Sequence, residues 1–567
     1  MELTKPVPLI LFTKLTIHYY GSITNHALLV LENDEGESWM REKNKNNISN
    51  TLFHWHNFRL TLVFEGVIVG LLSGLLVVLY RFLLEETGIL SKNIYFYLTR
   101  HHWLIPVWLI ILLVIGYILG ILIKKEPMIS GSGIPQVEGV LLRRLRMNWW
   151  KVIIGKFIGG VLSIGAGLSL GREGPSVQIG AAVGQGFSRT FKRIKIEEKY
   201  LITSGASAGL AAAFNAPLAG VIFALEEVHK NFSPLVLLSA MSASLTADFV
   251  SKKFFGLKPV FNFNRLSVLP LNFYLYLILL GIIIGICGVF FNRTLLKTQD
   301  MYAKQKWLPA QFRLLLPLLV AGFLGLLLPQ VLGGGHELIV SLVEDGFTLK
   351  VLIILLVVKF LFTMLSYGSG APGGIFLPLL VIGALTGNIY GNILVKAFHI
   401  NNEYVNNFII LAMAGYFTAI VKAPITGSIL ITEMTGSFQH LLALSVVSIT
   451  SYITADILRS QPIYESLLEK FLQRNSNNEF VGDNNQCVIL EVAVYLGTVL
   501  DGKRIKDINW PQHCLLVGVK RGEKEIIPKG DTTICAGDYL IVLTNEENAA
   551  KVKEKLLQMA SKSIISK

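Results

Sequence analysis

Six stretches of this chain carry no charged side chain: Trp103 to Ile123, Tyr200 to Leu225, Leu266 to Asn292, Leu314 to Gly335, Phe360 to Val395 and Met434 to Ala455. Each reaches or exceeds the roughly 20 residues that a helix needs to cross the hydrocarbon core of a bilayer. A chain with so many such runs is expected to be a polytopic, all-α membrane protein. Composition points the same way. Of 567 residues, 52% are hydrophobic and only 16% charged, and the mean hydropathy is +0.55. Lipid is therefore the expected main solvent.

The formal net charge is +13, a value that in a soluble protein would suggest nucleic acid. Here the basic residues sit between apolar runs, as in Arg143-Arg144-Leu145-Arg146 and Lys192-Arg193-Ile194-Lys195. Short basic loops of this kind face the cytoplasm or lipid head groups. There is no aromatic-interleaved basic stripe to read single strands, so nucleic acid is not an expected partner. The cysteines Cys287, Cys487, Cys514 and Cys535 have neither metal-ligand nor redox spacing and suggest no disulfide framework.

The expected organisation has four parts. Residues 1–56 form a polar tail that ends around Arg41-Glu42-Lys43-Asn44-Lys45-Asn46-Asn47, and no cleaved signal peptide is evident in it. Met40 is a candidate true start. Residues 57–472 form the membrane body, residues 473–485 a linker around Arg474-Asn475-Ser476-Asn477-Asn478, and residues 486–561 a small α/β domain. In that domain Cys487 to Val494, Cys514 to Lys520 and Tyr539 to Thr544 read as strands, and Glu546 to Ala560 as a closing helix.

The body repeats itself. At a constant offset of 203, Lys156-Phe157 matches Lys359-Phe360, Gly165 matches Gly368, Gly167 matches Gly370, Gly171 matches Gly374, and Pro175 matches Pro378. Ile179-Gly180-Ala181 and Gly184 continue the register onto Ile382-Gly383-Ala384 and Gly387. At offset 207, Ala216-Pro217 matches Ala423-Pro424, Gly220 matches Gly427 and Glu226 matches Glu433. The halves are therefore about 57–255 and 266–472. Repeats of this kind build transporters whose site lies near the midplane between the halves, and the sequence leaves open whether the repeat is inverted or parallel.

Charges inside apolar segments cost about 2.5–3.5 kcal/mol each on insertion scales, so Lys156, Arg172, Glu173, Glu226, Glu227, Lys359, Lys422 and Glu433 each need a reason. For Lys422, Glu433 and Glu226 the expected reason is structural, at helix ends or in pairs. Glu173 is different. It lies in Gly171-Arg172-Glu173-Gly174-Pro175, where Pro175 suits the first turn of a helix that starts at membrane depth. Gly131-Ser132-Gly133-Ile134-Pro135, Gly368-Ser369-Gly370-Ala371-Pro372 and Gly373-Gly374-Ile375-Phe376-Leu377-Pro378 share this grammar. Each is expected to end one helix inside the bilayer and start another there. Converging helix N-termini present N–H groups that attract an anion without holding it too tightly to leave. Ser132 would add a hydroxyl, Ile375 and Phe376 their N–H groups, and the Glu173 carboxylate would compete with the anion for the same donors.

These three motifs, with Ala213-Phe214-Asn215-Ala216-Pro217-Leu218-Ala219-Gly220, resemble the signatures of the ClC chloride channel and transporter family over roughly Phe58 to Leu472. The resemblance implies a fold of two inverted repeats with broken, re-entrant helices. It implies a homodimer in the cell membrane with one path per subunit, chloride and protons as substrates, and neither cofactor, metal nor enzymatic activity. By position, Ser132 and Tyr464 would hold the central chloride with Ile375 and Phe376. Glu173 would be the gating glutamate and Glu227 the inner proton glutamate. Arg172 and Lys156 would shape the field, and Gly131, Gly133 and Gly174 would support the loops. Glu227 stands where family channels commonly have an apolar residue, which favours chloride/proton antiport over a passive voltage- or pH-gated chloride channel. Ser132 and the intact Gly-Ser-Gly-Ile-Pro favour chloride over nitrate and fluoride. A non-transporting membrane sensor accounts poorly for a complete set of anion-site signatures.

The soluble domain departs from the paired CBS domains of many relatives. Ile526-Ile527-Pro528-Lys529-Gly530-Asp531-Thr532 and Gly537-Asp538-Tyr539-Leu540 resemble the TrkA-C (RCK C-terminal) module instead. That resemblance implies a cytoplasmic domain with a small-molecule ligand or an assembly role.

Overall fold

The computed structural model describes residues 38–261, 267–305, 309–344, 346–475, 487–522 and 524–561. Residues 1–37 and 476–486, which hold most of the expected tail and linker, lie outside the described residues. Met1–Thr61 and Leu62–Lys567 separate into two compact units, and the site lies wholly in the second. A helix begins at Ser38, inside the stretch read as a tail, and its apolar part is Phe58–Arg100.

Among the described residues, eight helices are long and apolar enough to cross a membrane: Phe58–Arg100, His102–Lys125, Pro234–Phe255, Leu271–Lys304, Leu349–Gly368, Phe376–Phe398, Asn402–Val421 and Phe438–Ile457. The chain is a multi-pass membrane protein. Apolar side chains such as Phe249, Phe290, Leu275 and Ile457 are exposed on these helices, as lipid-facing surfaces require. The expected run Tyr200 to Leu225 behaves differently, because the Lys195–Phe214 helix is buried on every side from Leu201 onward. It crosses the Glu173–Thr190 helix at Gly180 and Gly205, where a Cβ on either residue would strike the backbone carbonyl of the other. Small residues at the crossing let the two backbones touch.

The Gly-Pro grammar breaks helices as its chemistry requires. The Ile134–Leu141 helix starts from Gly133 at φ +96, a left-handed conformation that favours glycine, with Pro135 in its first turn. The Glu173–Thr190 helix opens with Glu173 as its first residue, and the Phe376–Phe398 helix opens with Phe376 after Ile375. One expectation is corrected here. Gly368–Pro372 ends the Leu349–Gly368 helix without starting another, and the next helix waits until Phe376. The reason is a different set of hydrogen bonds. The Gly370 carbonyl accepts from Gly131 N–H at 3.2 Å, Gly373 N–H donates to the Gly131 carbonyl at 2.9 Å, and Gly374 pairs with Gly171. The segment is held in a turn and bends against the other half of the molecule.

The repeat reappears as reciprocal contacts. Lys156 Nζ donates to the Ile129 and Gly131 carbonyls at 2.9 and 2.6 Å, and Lys359 Nζ donates to the Val331 and Gly333 carbonyls, both at 2.8 Å. Gly131 N–H meets the Gly370 carbonyl, and Gly333, held by Lys359 as Gly131 is by Lys156, donates its N–H to the Gly167 carbonyl. The Glu226 carboxylate accepts from Ile425 N–H (3.3 Å) and Thr426 N–H (2.8 Å), while Glu433 accepts from Leu218 N–H (3.1 Å) and Ala219 N–H (2.8 Å). Each half grips the other with the same residues, which is the self-complementary pattern of a two-fold relation. Gly171 and Gly374 are mates of each other, and each N–H donates to the other's carbonyl at 2.7 Å. The pseudo-axis therefore passes through this pair. Glu226 and Glu433 have the structural role expected of them, and Lys422 pairs with Asp456 at 3.1 Å.

Beyond the membrane body, β1 (Cys487–Ala493), β2 (Cys514–Arg521), β3 (Lys524–Ile526) and β4 (Asp538–Asn545) form an antiparallel sheet in the order β1-β4-β2-β3. The Glu546–Ser561 helix covers one face of it. Val492, Val519, Leu540 and Val542 pack there against Val552 and Leu556.

Candidate functional site

The site forms where the pseudo-axis leaves the Gly171–Gly374 pair. Glu173 and Phe376, 203 residues apart, are each the first residue of a helix beside it. Gly374 approaches Gly174 N so closely that a Cβ built on Gly374 would lie 3.1 Å from that nitrogen. The two helix starts are thus neighbours, and their free N–H groups converge.

Glu173 is fully buried. Its carboxylate folds back over Gly171 and faces the N–H groups of its own residue and of Leu377, the second residue of the facing helix. Neither carboxylate oxygen makes a hydrogen bond of normal geometry among the described residues. A buried, incompletely satisfied carboxylate is costly, so little is lost when it takes up a proton or yields its place to another anion. Arg172 does not neutralise it directly. Its guanidinium pairs with Glu85 at 3.1 Å, and Glu85 also accepts from Arg81 at 2.9 Å.

Ser132 and Tyr464 are both buried, and among the described residues neither hydroxyl oxygen has a hydrogen-bond partner. Ser132 packs directly against Gly174, so that any side chain on Gly174 would strike its hydroxyl. Tyr464, near the start of the Ile463–Arg474 helix, faces Tyr367, Glu227 and Glu173 electrostatically. Two orphaned hydroxyls beside helix N-termini form a donor set suited to an anion. Ile375 and Phe376 are fully buried, and the Phe376 ring packs on Phe417, Phe214 and Phe223 with centroids 4.7, 5.4 and 6.4 Å away. Lys156 is fully buried beside the loop that carries Ser132. Its ammonium is occupied by the Ile129 and Gly131 carbonyls, so it braces the loop that presents Ser132.

Glu227 lies in a π-helical turn, Ala224–His229, is 5% exposed, and its Oε1 has no partner among the described residues. Irregular turns of this type recur at functional positions. Around it stand Lys230, Glu138, Glu465 and Glu226. Sequence reasoning missed Glu138, Lys230, Glu465 and Tyr367, because they come from separate segments that only folding joins. The available signal was Glu138, a carboxylate inside the otherwise uncharged Ile134–Leu141 helix.

Two cavities approach the site through different residues. The larger, about 930 Å³, is lined by Arg81, Glu85, Arg172, Gly334, His336 and Leu377. The smaller, about 120 Å³, touches Ser130, Gly131, Tyr367 and Gln136. Among the described residues no group of His, Cys, Asp or Glu is arranged to hold a metal ion.

Residues 115–456 match the family model described as voltage gated chloride channel, and residues 489–557 match the TrkA-C domain. The H(+)/Cl(-) exchange transporter ClcA of Vibrio cholerae serotype O1 is 36% identical over 438 residues, covering 73% of this chain and 90% of that protein. The protein of the same name from Salmonella schwarzengrund is 33% identical over 440 residues, covering 75% and 92%. Among solved structures, a slow cyanobacterial Cl-/H+ antiporter superposes with a TM-score of 0.69 at 30% identity, covering 73% of this chain and 99% of that one. A CLC-type fluoride/proton antiporter gives a TM-score of 0.60 at 25% identity, covering 70% and 95%.

Proposed function

This chain belongs to the voltage gated chloride channel family, and on that premise we propose that it exchanges chloride for protons across a bilayer through a central anion site gated by Glu173. Chloride is bound by the Ser132 and Tyr464 hydroxyls and by the N–H groups of Ile375 and Phe376. Ionised Glu173 occupies the outer part of the same donor set. When protonated it loses its attraction to the helix N-termini and swings out, so chloride passage and proton uptake alternate. Glu227 delivers protons from the other side, with Tyr464 between the two carboxylates. Arg172, tied to Glu85, sets the field at the outer cavity, and Gly131, Gly133 and Gly174 allow the close approach of the loops.

The observation that carries exchange over a passive channel is Glu227, an interior carboxylate with an orphaned oxygen that shares Tyr464 as a neighbour with Glu173. The protein is proposed to act in the cell membrane as a homodimer with one path per subunit. Its C-terminal domain is proposed to be cytoplasmic, with a small-molecule ligand or an assembly role.

The test is a reconstituted flux assay that follows both ions. Glu173→Gln is expected to keep chloride flux and lose proton coupling and pH dependence. Glu227→Val is expected to stop protons and spare chloride. Persistent coupling in Glu173→Gln, or unchanged antiport in Glu227→Val, would overturn the assigned roles.

A further inference from the structure

The charges around Glu227 form a graded path to water. Glu138 is 2% exposed, Lys230 lies between the extremes with 31% of its side chain exposed, and Glu465 has 48% exposed. Lys230 Nζ pairs with Glu138 at 2.6 Å and also with Glu465. Glu138 comes from the Ser132-loop helix, Glu465 follows Tyr464 directly, and Lys230 ends the π-turn that carries Glu227. The cluster thus joins the three segments that bear the proposed anion and proton residues. Lys230 closes the turn at φ +54, a left-handed conformation uncommon for lysine. Glu138 Oε2, like Glu227 Oε1, is buried without a partner among the described residues.

The charged and titratable groups facing this cluster are few. Glu227 faces Lys230, Glu138, Glu465, Glu226 and Tyr464. Glu138 faces Lys230, Glu465 and Arg144. The Glu226 carboxylate is occupied by Ile425 and Thr426, and Arg144 by Glu469 at 2.6 Å. His229 is turned to Thr203 at 2.8 Å and to Lys199. Among the described residues, Lys230 is therefore the cation that balances Glu138, Glu465 and Glu227.

We propose that Lys230, clamped between Glu138 and Glu465, is a positioning residue that sets the pH at which protons from water reach Glu227. The inference rests on the antiport reading above. Glu465 accepts a proton from the aqueous acid and regains its negative charge on passing it inward. Glu138 does the same before Glu227 becomes the neutral acid. Lys230 holds the two outer carboxylates in reach and, through its positive charge, disfavours their protonation. Removing that charge favours the protonated forms, so the apparent pH midpoint of proton-coupled exchange rises. Removing the Glu465 charge does the opposite, because Lys230 then acts undivided on Glu138 and Glu227.

The test measures proton-coupled exchange against pH, on the side where this cluster opens, in proteoliposomes of the full chain. Lys230→Met should raise the midpoint by about one pH unit, the low end of the effect of a nearby opposite charge. Lys230→Arg should keep the wild-type midpoint. Glu465→Gln removes the outermost proton acceptor together with its negative charge, so it should slow coupled exchange and lower the midpoint of the exchange that remains. A wild-type midpoint in both Lys230→Met and Glu465→Gln, or an equal shift in Lys230→Arg and Lys230→Met, would overturn the proposal. If Lys230→Met does not fold, the direction of the Glu465→Gln shift decides. A wild-type protein that moves no protons at any pH would instead refute the antiport reading itself, which is a distinct result.

Discussion

The reciprocal grip of Glu226 and Glu433 predicts that two substitutions 207 residues apart have matching costs. Glu226 accepts from two backbone N–H groups and, at 2.7 Å, from the Thr426 hydroxyl, whereas Glu433 accepts from two backbone N–H groups. Each carboxylate satisfies the start of a short helix in the other half, at Pro424–Thr435 and Pro217–Phe223. A capping side chain contributes about 0.5–2 kcal/mol, and hydrogen bonds to a charged group lie at or above the top of that range. Both glutamates are partly exposed, which weakens the charge component. We therefore expect Glu226→Ala and Glu433→Ala each to destabilise by about 2 kcal/mol. The exposed control Glu86→Ala should change stability by less than about 0.5 kcal/mol. Thermal stability in detergent, read by size-exclusion recovery after heating, ranks the three. A Glu433→Ala protein as stable as the control, beside a weakened Glu226→Ala, would refute the two-fold account of the halves.

Two further outcomes follow from particular contacts. Gly205→Val forces a side chain into the Gly180 carbonyl at the crossing of two buried helices; overpacking costs about 1–3 kcal/mol, and with backbone as the obstacle we expect the upper end, seen as lower folded yield. Near-wild-type stability would contradict the close approach. In the soluble domain, Asp538 is fully buried and accepts from Arg521 at 2.8 and 2.7 Å and from Cys535 N–H at 2.8 Å. Burial pushes its carboxyl up, but these hydrogen bonds and the guanidinium charge outweigh burial and hold it below its ordinary value. A depressed carboxyl stabilises the fold above its unfolded-state value of about 3.9 and loses that contribution as pH falls through the folded one. Protection of the β4 amides, taken against the intrinsic exchange rate at the same pH, should fall below about pH 4 in the wild-type chain, and Asp538→Asn should show the lowered protection, as faster exchange than wild type, already at pH 7. Slow β4 exchange in Asp538→Asn at pH 7 would contradict the role of the pair.

Much of this architecture was readable because glycine and proline report backbone requirements rather than packing. The register of 203 pairs Gly171 with Gly374, and the structure joins these two by reciprocal hydrogen bonds; Gly167 and Gly370, paired by the same register, bond instead to Gly333 and Gly131. The Gly-Pro motifs also identified three of the helix starts. They misplace a fourth, because Gly368–Pro372 has the local chemistry of a restart while its carbonyls accept from Gly131, Ser130 and Ser163 in the other half. Local sequence cannot reveal such a partner. The same limit hid the cluster of Glu138, Lys230 and Glu465, whose members are unremarkable singly and become a unit only where three segments meet. Lys156 stands out in the sequence as a charge needing a reason, and its contacts with the Ile129 and Gly131 carbonyls are visible only once the loop path is known. In the soluble domain the alternation of apolar residues gave three strands and the closing helix, and the three-residue β3 was too short to stand out.

The central claim is that chloride and protons are obligatorily exchanged through one path. Proteoliposomes of the wild-type chain, loaded with high chloride and placed in low chloride at equal pH inside and out, test it directly. A tenfold chloride gradient supplies about 1.4 kcal/mol per ion moved. With membrane potential clamped near zero, chloride efflux should draw protons inward and acidify the lumen against a growing proton gradient. Chloride efflux at full rate with the internal pH unchanged would contradict the account and leave a passive conductor.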